Sequence, residues 1–241
     1  MNKIVLASNN IHKIREFKKI LKQDNIELIP QSDLNIPDIP ETGLTFIENS
    51  ILKARNASLL SNLPAIADDS GIEVDALCGR PGIYSARYSG ENCDDAANNK
   101  LLLKELSGVP FEKRTARYRC TIVYMSSHDH PTPKIFDSSW EGLIAESEIG
   151  DNGFGYDPLF YLPELRCTAA QLPESKKNSL SHRGKALKLF QKQFYKIILP
   201  QMLRLAIPNL SNVWQITLKD TSLISVTGLV EIMRQSYIAA G

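Results

Sequence analysis

The sequence has few cysteines and no long apolar run, and these two shortages exclude several classes of protein. Its four cysteines are widely spaced and form no CxxC pair, so we expect reduced thiols rather than a disulfide framework or a structural zinc site. Its four histidines include no HExxH pattern. No apolar segment reaches the roughly 20 residues that span a bilayer, which excludes a membrane-spanning helix.

The sequence also has no excess of positive or negative charge. The 28 basic and 27 acidic side chains give a net charge of +1, so the field of the whole molecule does not steer it toward nucleic acid or anionic lipid. We therefore expect no nucleic-acid or membrane partner, and any recognition of phosphate must be local. The first residues, MNKIVLAS, lack the apolar core and cleavage site of a secretory signal, which predicts a cytoplasmic protein.

The first polar cluster follows the first predicted strand. Residues 4–7 are apolar and β-compatible, Ser8–Asn10 supply turn and capping oxygens, and a helix is predicted next. The apolar positions of this helix recur on one side, at Ile11, Ile14, Phe17 and Leu21. The positive end of such a helix can bind an anion, and Lys13 adds charge one turn in. The alternative is a purely structural unit, since many α/β proteins begin this way.

A second cluster combines an acidic loop with a helix. A proline- and acid-rich segment predicts an extended surface loop that carries Glu41. Thr45 and Glu48 form a capping-box pattern at the start of a helix. The apolar face of this helix is predicted to carry Ile47, Ile51, Ala54 and Ala57. Lys53 and Asn49 fall on the polar side, where Lys53 could reach a ligand or be simply solvated.

Two adjacent carboxylates follow the next apolar run. Residues 64–67 predict a short strand that stops at the turn Asp68-Asp69-Ser70-Gly71. The two carboxylates repel one another, and a hard divalent cation such as magnesium would relieve that repulsion. A plain Asp-rich turn is an equally good interpretation of these four residues alone.

The segments after this turn are mixed in character. The sequence GRPGIYSARYSG at 79–90 predicts a fixed loop rather than a helix, and for Arg80 and Arg87 we favour a structural role. Strands are predicted at residues 117–125, 134–140 and 143–148, which indicates a hairpin-rich second half of the sheet.

Two further clusters combine glycines, an aromatic ring and cations. In GFGYDP, the glycines would let the backbone approach a flat ligand and Phe154 offers a stacking face, although packing is the usual role of such a ring. In SHRGK, Ser181 is a good N-cap, so His182 and Arg183 lie at a positive helix start, with Lys177 just before. Cations, carboxylates and a planar stacking group together indicate a nucleotide and a metal.

These motifs resemble one family in order and spacing: SNNIHK (8–13), ETGLTFIENSILKA (41–54), IADDSG (66–71), GRPGIYSARYSG (79–90), FGYDP (154–158) and SHRGKALK (181–188). The family is the inosine/xanthosine triphosphate pyrophosphatases, called Ham1-like or RdgB-like, and the resemblance covers about residues 1–195. It implies an α/β fold with an elongated, twisted, mixed sheet flanked by helices and divided into two lobes. The active site would lie in the cleft between the lobes, and the usual assembly is a homodimer.

The resemblance also implies roles for individual residues. It assigns the triphosphate to Ser8, Asn9, Asn10, Ile11, His12, Lys13, Lys53, Ser70 and Lys177, and the base to Phe154, Gly155, Tyr156, Asp157, His182 and Arg183. It assigns a Mg²⁺ ion to Glu41 and Asp69, with Asp68 as a further candidate ligand, and the role of general base to Asp69.

The implied reaction is hydrolysis of the purine nucleoside triphosphates ITP, dITP and XTP to the monophosphate and pyrophosphate. Two rivals stay open. One is a Maf-like nucleotide pyrophosphatase with a different base preference, and the other is a nucleotide-binding protein that has lost the chemistry.

The last part of the chain differs from the rest. We expect a pyrophosphatase domain at residues 1–196 and an atypical extension at 197–241. Residues 198–235 resemble the cytoplasmic coupling-loop region of polar amino-acid ABC transporter permeases, an unrelated family. The apolar stretches of this segment are too short to span a bilayer, so we expect a helical appendage without catalytic role.

Overall fold

Short apolar segments form a seven-stranded sheet in the computed structural model, which describes residues 2–23, 26–91, 94–196 and 234–236. The strands are β1 Asn2–Leu6, β2 Ile26–Pro30, β3 Ala65–Val74, β4 Thr115–Met125, β5 Lys134–Ile144, β6 Phe160–Leu162 and β7 Cys167–Thr168. The helices are α1 Ile11–Ile20, α2 Phe46–Ser61, α3 Asp95–Glu105, α4 Glu174–Leu180 and α5 over residues 182–196. None of the described helices has the length and apolarity needed to cross a membrane.

The chain divides into two units, Met1–Gln191 and Lys192–Gly241. The whole sheet lies in the first unit. Of the second unit the structure describes residues 192–196, which continue α5, and residues 234–236, which are also helical. The predicted extension at 197–241 therefore lies outside the described residues, apart from 234–236.

The sheet is mixed because its first three strands are parallel and the others are not. β1 pairs in parallel with β2 on one side and with β3 on the other. The strand order is β2-β1-β3-β4-β5-β6-β7, and every pair from β3 onward is antiparallel. α1 connects β1 to β2 on one side, and α2 lies in the connection from β2 back across β1 to β3. Because both connections are right-handed and run in opposite directions along the sheet, the two helices lie on opposite faces of the sheet. This confirms the predicted α/β fold with a mixed sheet flanked by helices.

Among the described residues, the long strands β3 and β4 carry an apolar core toward each end. Ala65 and Ala67 of β3 pack in one core with residues of β1, α2 and the end of β4. Ile72 and Val74 of the same strand pack in the other with residues of α3, β5 and β6. The polar residues Asp68–Ser70 lie between the two cores. A core at each end of the same strands agrees with the two predicted lobes, and the polar stretch lies where the cleft is expected.

Several local predictions are wrong. β3 does not stop at Asp68 but runs on to Val74, because both carboxylates are buried against cationic or amide side chains and need no solvent. Gly71 lies within the strand rather than in a turn, and a Cβ there would come 2.3 Å from the carbonyl oxygen of Gly82. The strand predicted at 134–140 continues without a break to Ile144 as β5, and residues 145–148, predicted as part of a second strand, are not in a strand. The 79–90 segment contains a 3₁₀ helix, Gly82–Arg87.

Candidate functional site

A cavity of about 690 Å³ opens where β1 ends and β3 continues. β1 pairs with β3 only as far as Ile66, so the following residues of β3 extend beyond the carboxyl end of β1. This is the point at which the connections from the parallel strands leave in opposite directions, where ligands of open α/β sheets usually bind. Because neighbouring side chains of a strand point to opposite faces, Asp68 turns toward α1 and α5 and Asp69 toward α2.

Asp69 shares a cation with a residue of a distant loop. The Lys53 ammonium lies 3.3 Å from Asp69 Oδ1 and 2.8 Å from Glu41 Oε1, and its side chain is 15% exposed. The Asn49 amide, fully buried, donates to Asp69 Oδ2 at 3.1 Å, and Arg87 lies 3.3 Å from Glu41 Oε2. Asn49 was predicted on the polar side of α2, yet the structure buries it, because the cavity supplies it with a polar partner. Glu41 and Asp69 therefore converge on one positive charge.

Burial and these cations shift the ionisation of the group. Burial would raise the pKa of Glu41, but the neighbouring cations Lys53, Lys13 and Arg87 together outweigh it, so the pKa of Glu41 is lowered. Burial raises the pKa of Asp69, and this effect exceeds the opposing effect of Lys53. The pKa of Lys53 is raised, because Asp69 and Glu41 outweigh the burial that would lower it. Lys53 is therefore an ammonium ion, whereas Asp69 takes up a proton more readily than an ordinary aspartate.

Asp68 belongs to a second ionic cluster on the other face. Its Oδ2 lies 3.1 Å from Lys13 Nζ and accepts from Arg183 Nε at 3.3 Å. Burial would raise the pKa of Asp68, but Lys13 and Arg183 hold it well below its usual range. Arg183 also donates to Glu16 and, at 2.9 Å, to Ser70 Oγ. Asp68 is therefore ionised and holds the two cations in place, although its Oδ1 lacks a hydrogen-bond partner among the described residues.

Asp157 organises the glycine-rich turn at the other end of the cavity. Its Oδ2 accepts from the backbone N–H of Phe154 at 2.9 Å and from Lys177 Nζ at 2.5 Å. The Gly155 N–H donates to Asp95 of α3 at 2.7 Å. The Lys177 ammonium lies 4.7 Å from the centroid of the Phe154 ring. The turn thus presents an aromatic ring and a cation together.

His182 lies beside this turn as a buried, neutral imidazole. Its ring stacks on Tyr118 at 4.7 Å between centroids with an interplanar angle of 7°. Burial lowers the pKa of His182 well below its usual value, and Arg183 and Lys177 add to the effect. Its Nδ1 has no hydrogen-bond partner among the described residues. The N-cap prediction holds, since the Gly184 N–H donates to Ser181 Oγ at 3.1 Å.

The start of α1 forms one wall of the cavity. The Asn10 side chain accepts from the Lys13 N–H, which confirms the predicted cap. Asn9 donates to Asp38 at 2.9 Å. Ile11, predicted on the apolar side of the helix, is 72% exposed, because the helix turns its first residue outward.

The cavity brings together sixteen residues that the sequence had singled out: Ser8, Asn9, Asn10, Lys13, Glu41, Lys53, Asp68, Asp69, Ser70, Phe154, Gly155, Tyr156, Asp157, Lys177, His182 and Arg183. The side chains of Ile11 and His12 are not among its lining. Sequence reasoning missed Glu16 and Asp95 and favoured a structural role for Arg87, and all three residues line the cavity. For Glu16 a signal existed, because it lies three residues after Lys13 and so on the same helix face. Arg87 and Asp95 reach the cavity only through tertiary packing.

The acidic side chains of the cavity do not form a complete metal cage. Within the described ranges, no three histidine, cysteine or carboxylate side chains are grouped as metal ligands. Mg²⁺ is commonly held by one or two carboxylates, with water and substrate phosphates completing its octahedral shell. Glu41 and Asp69, which already share a cation, fit that pattern.

Comparison with known proteins gives consistent matches over most of the chain. A model of the Ham1 family matches residues 4–193. A dITP/XTP pyrophosphatase of Thioalkalivibrio sulfidiphilus is 54% identical over 187 residues, which are 78% of this chain and 95% of that protein. One from Photobacterium profundum is 52% identical over 191 residues, 79% of this chain and 97% of that protein.

Solved structures show the same similarity. A HAM1 protein from Coxiella burnetii superposes with a TM-score of 0.77 at 44% identity, over 81% of this chain and 100% of that one. The Ham1 protein of Staphylococcus aureus gives a TM-score of 0.73 at 44% identity, over 81% of this chain and 99% of that one.

Proposed function

Since this chain belongs to the Ham1 family, we propose that it hydrolyses the non-standard purine nucleoside triphosphates ITP, dITP and XTP to the monophosphate and pyrophosphate. Such an activity removes these nucleotides from the cellular pool. The names of the relatives, dITP/XTP pyrophosphatases, support the substrate class. The observation that carries the proposal is the convergence of Glu41 and Asp69 on a single cation beside an aromatic, cation-lined turn.

We propose that Glu41 and Asp69, the two carboxylates that the Lys53 ammonium joins, would hold Mg²⁺. Oxygen ligands suit this ion, and two carboxylates with phosphate oxygens and water satisfy it. When bound, it would neutralise phosphate charge and lower the pKa of a coordinated water. Asp68 already holds Lys13 and Arg183 and keeps only Oδ1 for the ion, so its main role in this proposal is to fix those cations.

The triphosphate would lie along the wall formed by the start of α1. Backbone N–H groups at a helix start and a lysine one turn in are a recurrent anion site, and Ser8–Lys13 supply this arrangement. Lys53, once released from the two carboxylates, would turn its ammonium to phosphate oxygens. Lys177, 4.7 Å from the Phe154 ring, lies toward the base. Phosphoryl chemistry needs mainly such positioning and charge neutralisation.

Asp69 is the proposed general base for attack of water on the α-phosphorus. A base works best when its pKa approaches the working pH, and burial shifts Asp69 in that direction. In its ionised form the carboxylate can accept the proton of the attacking water. Asn49 fixes its orientation by donating to Oδ2 at 3.1 Å, which leaves Oδ1 on the side of Lys53.

We assign discrimination of the purine 6-position to His182. Arg183 already donates to Asp68, Glu16 and Ser70, whereas the buried Nδ1 of His182 has no partner among the described residues. As a neutral imidazole, His182 can carry its proton on Nδ1 and donate it to a 6-oxo group. The 6-amino group of adenine would leave that donor unpaired, and sites built on a buried hydrogen bond reject the wrong partner by roughly ten-thousand-fold.

A single assay tests substrate, metal and bond cleaved. Purified protein is incubated with ITP, XTP, ATP or a pyrimidine triphosphate, with and without magnesium, and pyrophosphate and phosphate are measured separately. We expect pyrophosphate from ITP and XTP only when magnesium is present. Release of phosphate instead, or equal use of ATP, would contradict the proposal, and a preference for pyrimidines would favour the Maf-like alternative.

We also propose that the protein works as a cytoplasmic homodimer. The near-neutral net charge of +1 gives no reason to expect that the protein binds nucleic acid. The resemblance of the motifs to the family supports the dimer. Light scattering after gel filtration tests the assembly, and a monomer at micromolar concentration would contradict it.

A further inference from the structure

We infer that His12 is a positioning residue, whose imidazole supports the Phe154 ring from outside the cavity and fixes the orientation in which that ring meets the purine base. The inference rests on the proposed function, because it concerns the same base site. The resemblance of the motif SNNIHK assigned His12 to the triphosphate. The inference assigns the imidazole of His12 to the base site instead, and the backbone of Ser8–Lys13 stays the proposed phosphate wall.

The two rings are in direct contact across the chain. Their centroids are 4.9 Å apart and their planes differ by 16°, which is a stacked arrangement. Phe154 lines the cavity and His12 does not. His12 is exposed, whereas the two cations near the Phe154 ring, Lys177 and Arg183, are buried. The imidazole therefore stacks on Phe154 from an exposed position, whereas the two cations near the ring belong to the lining of the cavity.

Among the described residues, the hydrogen bonds at this position hold the backbone of Phe154, and besides His12 only the cations Lys177 and Arg183 lie near its ring. The Phe154 N–H donates to Asp157 at 2.9 Å, and the next residue, Gly155, is held by Asp95 at 2.7 Å. Both flanking glycines have positive φ, 85° at Gly153 and 63° at Gly155, so they adopt a backbone that other residues rarely accept. These backbone contacts do not themselves fix the side-chain torsions of the ring, which leaves it some freedom to rotate. A parallel ring stacked against it removes much of that freedom.

The position of His12 also connects the two halves of the proposed substrate site. It is the second residue of α1, whose first turn forms the proposed phosphate wall, and it reaches the turn that presents the base platform. A displacement of the start of α1 therefore changes the support of Phe154. The base should therefore stack on Phe154 most favourably when the start of α1 is in the position that binds the triphosphate.

The test compares His12→Ala with His12→Phe, which keeps a ring, and with Lys18→Ala, an exposed residue further along α1. KM and kcat are measured for ITP, and dissociation constants for inosine monophosphate and for inorganic tripolyphosphate, which lacks a base. We expect His12→Ala to raise KM and weaken the monophosphate about three- to tenfold, the range of one aromatic pair. We expect kcat and tripolyphosphate binding to stay within about twofold, and His12→Phe to restore most of the loss.

Each contrary result has one meaning. A loss of tripolyphosphate binding as large as the loss of monophosphate binding would place His12 in the phosphate wall and overturn the inference. Normal monophosphate binding by His12→Ala, or a loss that His12→Phe does not restore, would also overturn it. Absence of ITP hydrolysis by the parent protein would refute the proposed function instead, and the monophosphate constants would still decide the role of His12.

Discussion

Replacement of Lys53 by methionine tests whether one ammonium neutralises Glu41 and Asp69 together. Methionine keeps most of the aliphatic stem and removes the charge, so packing is largely preserved. Removing one partner of a buried ion pair costs about 3–5 kcal/mol, because the other charge is left uncompensated. Here Asp69 keeps its Asn49 hydrogen bond, and Glu41 keeps Arg87 with a side chain 26% exposed. We therefore expect a loss of about 2–3 kcal/mol, below the range for fully buried pairs.

Urea denaturation in a metal-free buffer measures this loss. For a domain of this size, a change of about 2–3 kcal/mol lowers Tm by roughly 4–12 °C. The matched control is Lys19→Met, which breaks the pair with Glu174, where both side chains are 49% exposed. Surface pairs of this kind contribute at most about 1 kcal/mol.

Magnesium provides the second half of the test. In the Lys53→Met protein the two carboxylates no longer share an ammonium, so we expect millimolar magnesium to stabilise this variant more than the parent. If Lys53→Met is no less stable than Lys19→Met, or if magnesium stabilises both Lys53→Met and the parent equally, Lys53 and the ion do not share these two carboxylates.

Three further outcomes are expected. Asp69→Asn should lower kcat by about two to four orders of magnitude, the usual contribution of a general base, with a smaller change in KM. Steady-state pyrophosphate release measures both constants, and an unchanged rate would show that Asp69 is not the base. The free energy of unfolding should fall as the pH drops below about 6.5, because His182 takes up a proton in the unfolded chain but, with its lowered pKa, stays neutral in the folded protein. In urea titrations between pH 5 and 7, His182→Gln should make the free energy of unfolding depend less on pH. An unchanged dependence would mean that another group causes it. A chain truncated after residue 196 should keep its cooperative unfolding and its ITP hydrolysis, whereas insolubility of that fragment would show that the extension is integral.

Local residue chemistry was enough to predict several elements, and the resemblance of the motifs supplied most residues of the candidate site. The caps at Asn10, Thr45 and Ser181 each depend on hydrogen bonds within a few residues, so sequence alone could identify them. The second half of the predicted capping box differs, because the Glu48 carboxylate accepts from the backbone N–H of Leu44 rather than of Thr45. The ordered motifs predicted sixteen of the side chains that line the cavity. Their spacing carries this information because the loops that follow strands meet at one edge of a sheet.

Tertiary structure decided what each charged group contacts. Asp68 and Asp69 are neighbours in sequence and were treated as a pair, yet they turn to opposite faces and join different ionic clusters. Asn49 is buried and Arg87 reaches Glu41 only because distant elements pack around the cavity. The sequence by itself determined the α/β class, the helix starts and the family, because these follow from periodicity, capping and motif order. Only the fold decided the ion pairs, the pKa shifts and the contact of His12 with Phe154, because each depends on distances between residues far apart in the chain.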